Sequence, residues 1–152
     1  MKVLLAYATY SSSTESASKV IEKVLSEQHE VTRKNIKDVK PEELNEHDVI
    51  VFGSPSWMNR GKDGQPHEFF LSFMDTMNGK RVEKPFAIFG MGDRMYTHFT
   101  GAVTVLEKFV DTLGGKRITG SLRIDGFYFN QPENEKTVEK WAEKLSSAIA
   151  SL

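Results

Sequence analysis

Val3-Leu4-Leu5-Ala6-Tyr7-Ala8-Thr9-Tyr10-Ser11-Ser12-Ser13-Thr14-Glu15 is the stretch that decides the fold. An apolar run of strand length enters a turn made of hydroxyl side chains, and the turn enters Ala17, Val20, Ile21, Val24 and Leu25. The three-and-four spacing of that second group puts apolar side chains on one face of a helix. Working outward, residues 49–52 and 86–89 repeat the short apolar run, again rich in β-branched or aromatic residues. Phe69, Phe70, Phe73, Met74 and Met77 follow helical spacing. So do Ala102, Val105, Leu106, Phe109, Val110 and Leu113, which meet a natural stop at Gly114-Gly115. Val138, Trp141, Ala142, Leu145 and Ile149 mark a last helix.

Two weaker strands, at residues 30–36 and 118–124, mix apolar with charged residues in the manner of sheet edges, and Gly120 is expected to divide the second. Strands alternating with helices predict right-handed crossovers, a parallel sheet and helices on both faces. The expected class is α/β, a three-layer sandwich with a five-stranded parallel sheet of order 2-1-3-4-5, in one domain spanning residues 1–152. In such a sheet ligands sit at the carboxyl ends of the strands, at the switch point between the first and third. The loops after strands one, three and four are therefore where chemistry is expected.

Composition narrows that chemistry. Twenty Lys and Arg against twenty-one Asp and Glu give a formal net charge of -1, which supplies no basic field for a nucleic acid, so none is expected as a partner. Cysteine is absent, which removes disulfides, thiolate nucleophiles and iron-sulfur ligands. Redox chemistry would need a bound cofactor. The apolar opening is too short for a signal peptide and no later run is long enough to span a bilayer, so the cytoplasm is the expected location, with no membrane partner. His29, His67 and His98 lack metal-ligand spacing, and no metal site is expected. Lys136, Glu139, Lys140, Glu143 and Lys144 read as a solvated helix face.

Each of the three loops is unusual. Thr9, Tyr10, Ser11, Ser12, Ser13 and Thr14 place hydroxyls and backbone N–H groups at a helix N-terminus, which is either an anion cradle or a generous N-cap. With no Lys and no glycine pair, the loop suits a terminal monophosphate better than a triphosphate. Gly53-Ser54-Pro55-Ser56-Trp57-Met58-Asn59-Arg60-Gly61 puts Trp57 in a turn-rich stretch past a buried strand, where the indole wants a planar partner or a protein neighbour. In Gly90-Met91-Gly92-Asp93-Arg94-Met95-Tyr96-Thr97-His98-Phe99, two glycines allow close backbone approach and Tyr96 is a second exposed aromatic.

In order and at these spacings, the three loops, with Phe99-Thr100-Gly101-Ala102-Val103, resemble the FMN loops of the flavodoxin family. The resemblance runs nearly end to end. Leu122-Arg123-Ile124-Asp125-Gly126 is similar to the short-chain members, and no long insertion interrupts the fifth strand. The resemblance implies an FMN-binding, low-potential carrier of single electrons rather than an enzyme. Thr9 to Thr14 would bind the phosphate, and Trp57 and Tyr96 would sandwich the isoalloxazine. Ser54, Pro55, Ser56, Met58 and Asn59 would complete the second loop. Met91, Gly92, Asp93, His98, Phe99 and Thr100 would complete the third, with backbone groups near Met91, Asp93, His98 and Thr100 meeting the pyrimidine edge. Implied partners are a flavodoxin reductase and an electron acceptor, docking transiently near the flavin on a monomer.

The chain departs from the family pattern in three places. Ser12 and Ser13 stand where Gly-Asn is usual, predicting either a reshaped phosphate turn or a strained φ at Ser12. Met58 occupies the position of a glycine whose peptide flips on flavin reduction in many members, and a side chain there makes positive φ costlier by roughly 1 kcal/mol. Arg60, Lys62 and Arg94 bring cations into or beside the flavin loops of a family that is typically acidic, with an expected effect on potential. Two other classes fit the fold: an FMN-dependent NAD(P)H:quinone reductase, and a flavin-free regulatory module resembling a receiver domain. An aromatic sandwich would occupy the first one's substrate pocket, and residues 7–9 and 54–57 lack the acidic cluster the second needs.

Overall fold

The computed structural model describes every residue except Arg94, Tyr96 and Thr97. Its sheet is built from β1 (Lys2–Tyr7), β2 (Glu30–Asn35), β3 (Val49–Pro55), β6 (Pro85–Gly92), and two short pieces, β7 (Lys116–Arg117) and β8 (Leu122–Asp125). These strands run parallel in the order β2-β1-β3-β6-β7, and β8 also pairs with β6. The expected order 2-1-3-4-5 therefore holds, with the fifth strand in two pieces. Its boundaries differ from expectation: pairing starts at Lys116, before the apolar residues, and residues 118–121 lie outside both pieces.

Period-two alternation divides the central strands between two cores. Val3, Leu5, Val49, Val51, Ala87 and Phe89 face α1 (Ser13–Leu25) and α4 (Gln131–Ala150), whose Ile21, Leu25, Trp141 and Leu145 are buried there. Leu4, Ala6, Ile50, Phe52, Phe86 and Ile88 face α2 (Glu68–Thr76) and α3 (Gly101–Leu113), with Phe70, Phe73, Leu106 and Phe109. Phe52 and Phe70 meet edge to face at 5.4 Å. Each fully buried large side chain contributes about 1.5–3 kcal/mol by leaving water, which makes these strands the rigid base of the site. Phe69 is a correction: it is 41% exposed, with Lys37 Nζ 6.0 Å from its ring centre. The helical phase of α2 is set by Phe70 and Phe73, and Phe69 falls on the outer side.

The second loop also differs from expectation. Gly53, Ser54 and Pro55 belong to β3, and Gly90, Met91 and Gly92 to β6, so the strands reach further toward the ligand edge than their apolar cores suggest. Beyond β3 the chain folds into an antiparallel hairpin of β4 (Trp57–Asn59) and β5 (Lys62–Gln65), where the sequence reading expects only turns. Its two-residue connection, Arg60 with φ 51° and Gly61 with φ 75°, has both central residues left-handed, as the favoured hairpin turn requires. Asn59 pairs with Lys62 across it.

Candidate functional site

A cavity of about 550 Å³, within the range of small-molecule sites, opens at the carboxyl edge of the sheet. Pro55 at the end of β3, Ser56 just after it, and Met91 and Gly92 at the end of β6 line it; Trp57, Met58 and Asp63 come from the hairpin, and Asp93, His98 and Thr100 from the third loop. Ser11 and Ser13 line it from the first loop, and Gly126, Phe127, Tyr128 and Phe129 from the segment after β8. Eleven of the expected residues are thereby brought together: Ser11, Ser13, Pro55, Ser56, Trp57, Met58, Met91, Gly92, Asp93, His98 and Thr100. Tyr96 lies outside the described residues, as does Arg94.

The hydroxyl loop leads from β1 into the N-terminus of α1. Ser12 takes φ 64° and leads into α1 without a side-chain cap, so the strained φ is the outcome of placing serine where glycine is usual. Among the described residues, Thr9 Oγ1 and Thr14 Oγ1 are buried and find no hydrogen-bond partner. A buried hydroxyl without a partner costs about 1–3 kcal/mol, and an external acceptor at this loop would satisfy both. No lysine or arginine is among the described residues lining the cavity. A flavin monophosphate fits this donor set: neutral hydroxyls and N–H groups in one loop, a half-exposed indole in another.

Other expected residues act from behind the wall. Ser54 Oγ is buried, donates to the Pro55 carbonyl at 2.8 Å and accepts from the His67 N–H at 2.9 Å. Tyr10 turns away from the cavity: its ring lies on His67 and meets Trp57 edge-on at 5.3 Å. Asn59 Nδ2 donates to the Tyr10 hydroxyl at 3.0 Å and to the Pro66 carbonyl at 3.0 Å, which ties the hairpin to the first loop. Phe99 stands beside Gly92, where a Cβ on the glycine would come within 3.3 Å of its ring and 2.8 Å of the Thr100 nitrogen. Gly92 is therefore required for the close approach of β6 and the third loop. Thr100 is buried with φ 48°, and Arg123 donates to its carbonyl and its Oγ1, both at 3.0 Å.

Arg60 sits in the hairpin turn and is not among the residues lining the cavity. Its guanidinium is engaged by Glu68 at 2.9 Å and Asp75 at 3.0 Å on α2, which raise its pKa. Met58 does not adopt positive φ; Arg60 and Gly61 carry that conformation in the hairpin turn. Asp63, which the sequence reading did not single out, faces His98 with Oδ2 3.1 Å from Nδ1. The His98 contact, and then the Gly64 N–H, hold its carboxyl below the usual range. The pair spans the hairpin and the third loop, and only the hairpin's geometry brings residues so distant in sequence together.

The family model described as "Flavodoxin" matches residues 5–146. A probable flavodoxin 2 from Bacillus subtilis is 35% identical over 141 residues, covering 91% of this chain and 88% of the relative. Flavodoxin 2 from Bacillus cereus superposes with a TM-score of 0.81 at 31% identity, covering 99% of each chain. The Fusobacterium nucleatum flavodoxin bound to flavin mononucleotide superposes with a TM-score of 0.80, at 19% identity over 96% of this chain and 97% of that one. Among the described residues no cluster of His, Asp or Glu has the arrangement of a metal site, and no helix is long and apolar enough to cross a membrane.

Proposed function

This chain belongs to the flavodoxin family of FMN-binding electron-transfer proteins, and we propose that it holds one FMN in the cavity at the carboxyl edge of its sheet. The observation that carries this reading is the pair of buried, unpartnered hydroxyls, Thr9 Oγ1 and Thr14 Oγ1, in the same loop as Ser11 and Ser13, which line the cavity together with Trp57. The phosphate would be held by Ser11, Ser13, Thr9, Thr14 and the first N–H groups of α1. The ring would lie against Trp57, with Met58, Asp93, His98 and Thr100 around it and Tyr96 as its expected second stacking partner.

FMN supplies the one-electron chemistry when bound; the protein's residues supply position and surroundings. Trp57, 51% exposed, and Met58, 61% exposed, form an apolar rim at the cavity mouth, suited to transient contact with a redox partner. A reductase that loads the electron and an acceptor that removes it are the proposed partners, with docking at this rim. The NAD(P)H:quinone reductase alternative is not favoured by a family of carriers.

Titrating the purified protein with FMN and following flavin fluorescence tests the binding: saturation at one FMN per chain is expected. Absence of binding would overturn the reading. Rapid NADPH oxidation by the loaded protein alone, with a quinone as acceptor, would move it to the reductase class.

A further inference from the structure

Part of the cavity lining, Gly126 to Phe129, is not supplied by the three flavin loops. After β8 the chain passes through Gly126, with φ 51°, into a single 3-10 turn, Phe127–Asn130. Two contacts fix that turn. Phe127 is buried in the same core as Val138 and Trp141, and Asn134 Nδ2 donates to the carbonyls of Gly126 at 3.3 Å and Phe127 at 3.0 Å. Tyr128 is thereby presented outward, its ring edge-on to Phe127 at 5.3 Å, lining the cavity with Ser11 and Ser13. Its hydroxyl lies 2.9 Å from Ser12 Oγ and 3.3 Å from Ser16 Oγ.

The proton inventory assigns the direction of that contact. Ser12 Oγ donates its one proton to the Ser11 carbonyl at 2.7 Å, so toward Tyr128 it is an acceptor and the phenol is the donor. A phosphomonoester carries about two negative charges near neutral pH. With no lysine or arginine among the described lining residues, every O–H and N–H donor in the lining counts. A neutral serine oxygen is a weaker acceptor than a phosphate oxygen, because a hydrogen bond to an ionised group is about twice as strong.

Resting on the FMN reading above, we propose that Tyr128 is a phosphate ligand from a fourth loop: its O–H, held on Ser12 in the free protein, turns to a phosphate oxygen of FMN. It makes the site selective for the phosphorylated flavin. The exchange conserves donors, since the phenol gives one hydrogen bond before and after, and Ser12 keeps its bond to the Ser11 carbonyl.

The test compares FMN with riboflavin in the wild type, Tyr128→Phe and Tyr128→Ala, by fluorescence titration of the full-length protein, with the ³¹P resonance of bound FMN as a second readout. Tyr128→Phe keeps the ring and its packing on Phe127, so folding is preserved; circular dichroism checks it. The expected result is an FMN affinity about tenfold or more lower in Tyr128→Phe, the usual effect of losing a hydrogen bond to a charged group, with riboflavin affinity unchanged and a shifted ³¹P resonance. A wild type that prefers FMN and a Tyr128→Phe that keeps the same preference and resonance would overturn the role of Tyr128 alone. Equal loss for both flavins would make the phenol a structural latch and also overturn it. A wild type without preference for FMN would instead overturn the phosphate cradle itself. Tyr128→Ala supports the proposal if its FMN preference falls as in Tyr128→Phe and counts against it if the preference is retained.

Discussion

The imidazole of His67 lies on the ring of Tyr10, 3.9 Å between centroids and 23° from coplanar. The same imidazole begins α2: Nδ1 accepts the N–H of Phe69 at 2.9 Å, which requires that nitrogen to be unprotonated. One buried neutral side chain thus couples the first loop, the hairpin through Tyr10 and Asn59, and the start of a helix.

Burial, only partly opposed by Glu68, lowers the His67 pKa from its ordinary value of 6.5. As pH falls through 6.5 the unfolded chain takes up this proton before the folded one does, so stability is full above that value and declines below it. The expected outcome is a Tm that holds above about pH 6.5 and falls between there and about pH 5, within the interval in which histidine charges. His67→Asn preserves an N-cap acceptor without titrating, and should flatten that slope while losing the stack on Tyr10. Thermal denaturation of both proteins across the interval checks it, and equal slopes would remove His67 as the cause.

Thr14 should show opposite signs for stability and binding. Its buried Oγ1 has no partner among the described residues, so Thr14→Val removes a polar group that folding leaves unsatisfied. The FMN-free protein is expected to gain on the order of 1 kcal/mol in chemical denaturation, while FMN affinity falls about tenfold and riboflavin affinity stays put. A variant destabilised in both respects would mean that the hydroxyl serves the fold alone.

Much of this architecture is legible in the chain because strand and helix periods differ. Residues 3–7 alternate between the two cores, and Ile21 and Leu25 lie one helical turn apart, so β1, the hydroxyl turn and α1 follow from local pattern. The hairpin was not legible: residues 57–65 show no apolar alternation, and their turn is Arg60-Gly61 rather than Asn-Gly. It is held by contacts distant in sequence, among them Asn59 with Tyr10 and Arg60 with Glu68. Asp63 was missed for that reason. Tyr128 had a local signal, three successive aromatics after Asp125-Gly126 at the ligand edge of the fifth strand, outside the three loops to which the expectation was confined.

Gly53 tests how tightly the strands that carry the site are packed. It pairs in register with Phe89, and a Cβ there would stand 2.0 Å from that ring's Cζ. Phe89 is fully buried against Trp141, so the ring has nowhere to retreat. Gly53→Ala is expected to cost about 1–3 kcal/mol in urea denaturation through overpacking. Unchanged stability would show that these strands can shift.

Trp57 carries the prediction for ring stacking. The indole is half exposed and touches Tyr10 only edge-on, at 5.3 Å, which leaves ring surface available to a planar ligand. Stacking contributes about 0.5–1.5 kcal/mol beyond burial, so Trp57→Leu should weaken FMN and riboflavin alike by roughly two- to tenfold, and Trp57→Phe by less. This parallel loss contrasts with Thr14→Val, where the phosphate-free flavin is spared. Indole emission should be quenched as FMN binds, and since Trp141 lies in the core against Phe89, Trp141→Phe isolates the signal of Trp57. Full emission from Trp57 in the FMN-loaded Trp141→Phe protein, together with unaltered affinities in Trp57→Leu, would remove the indole from the flavin site.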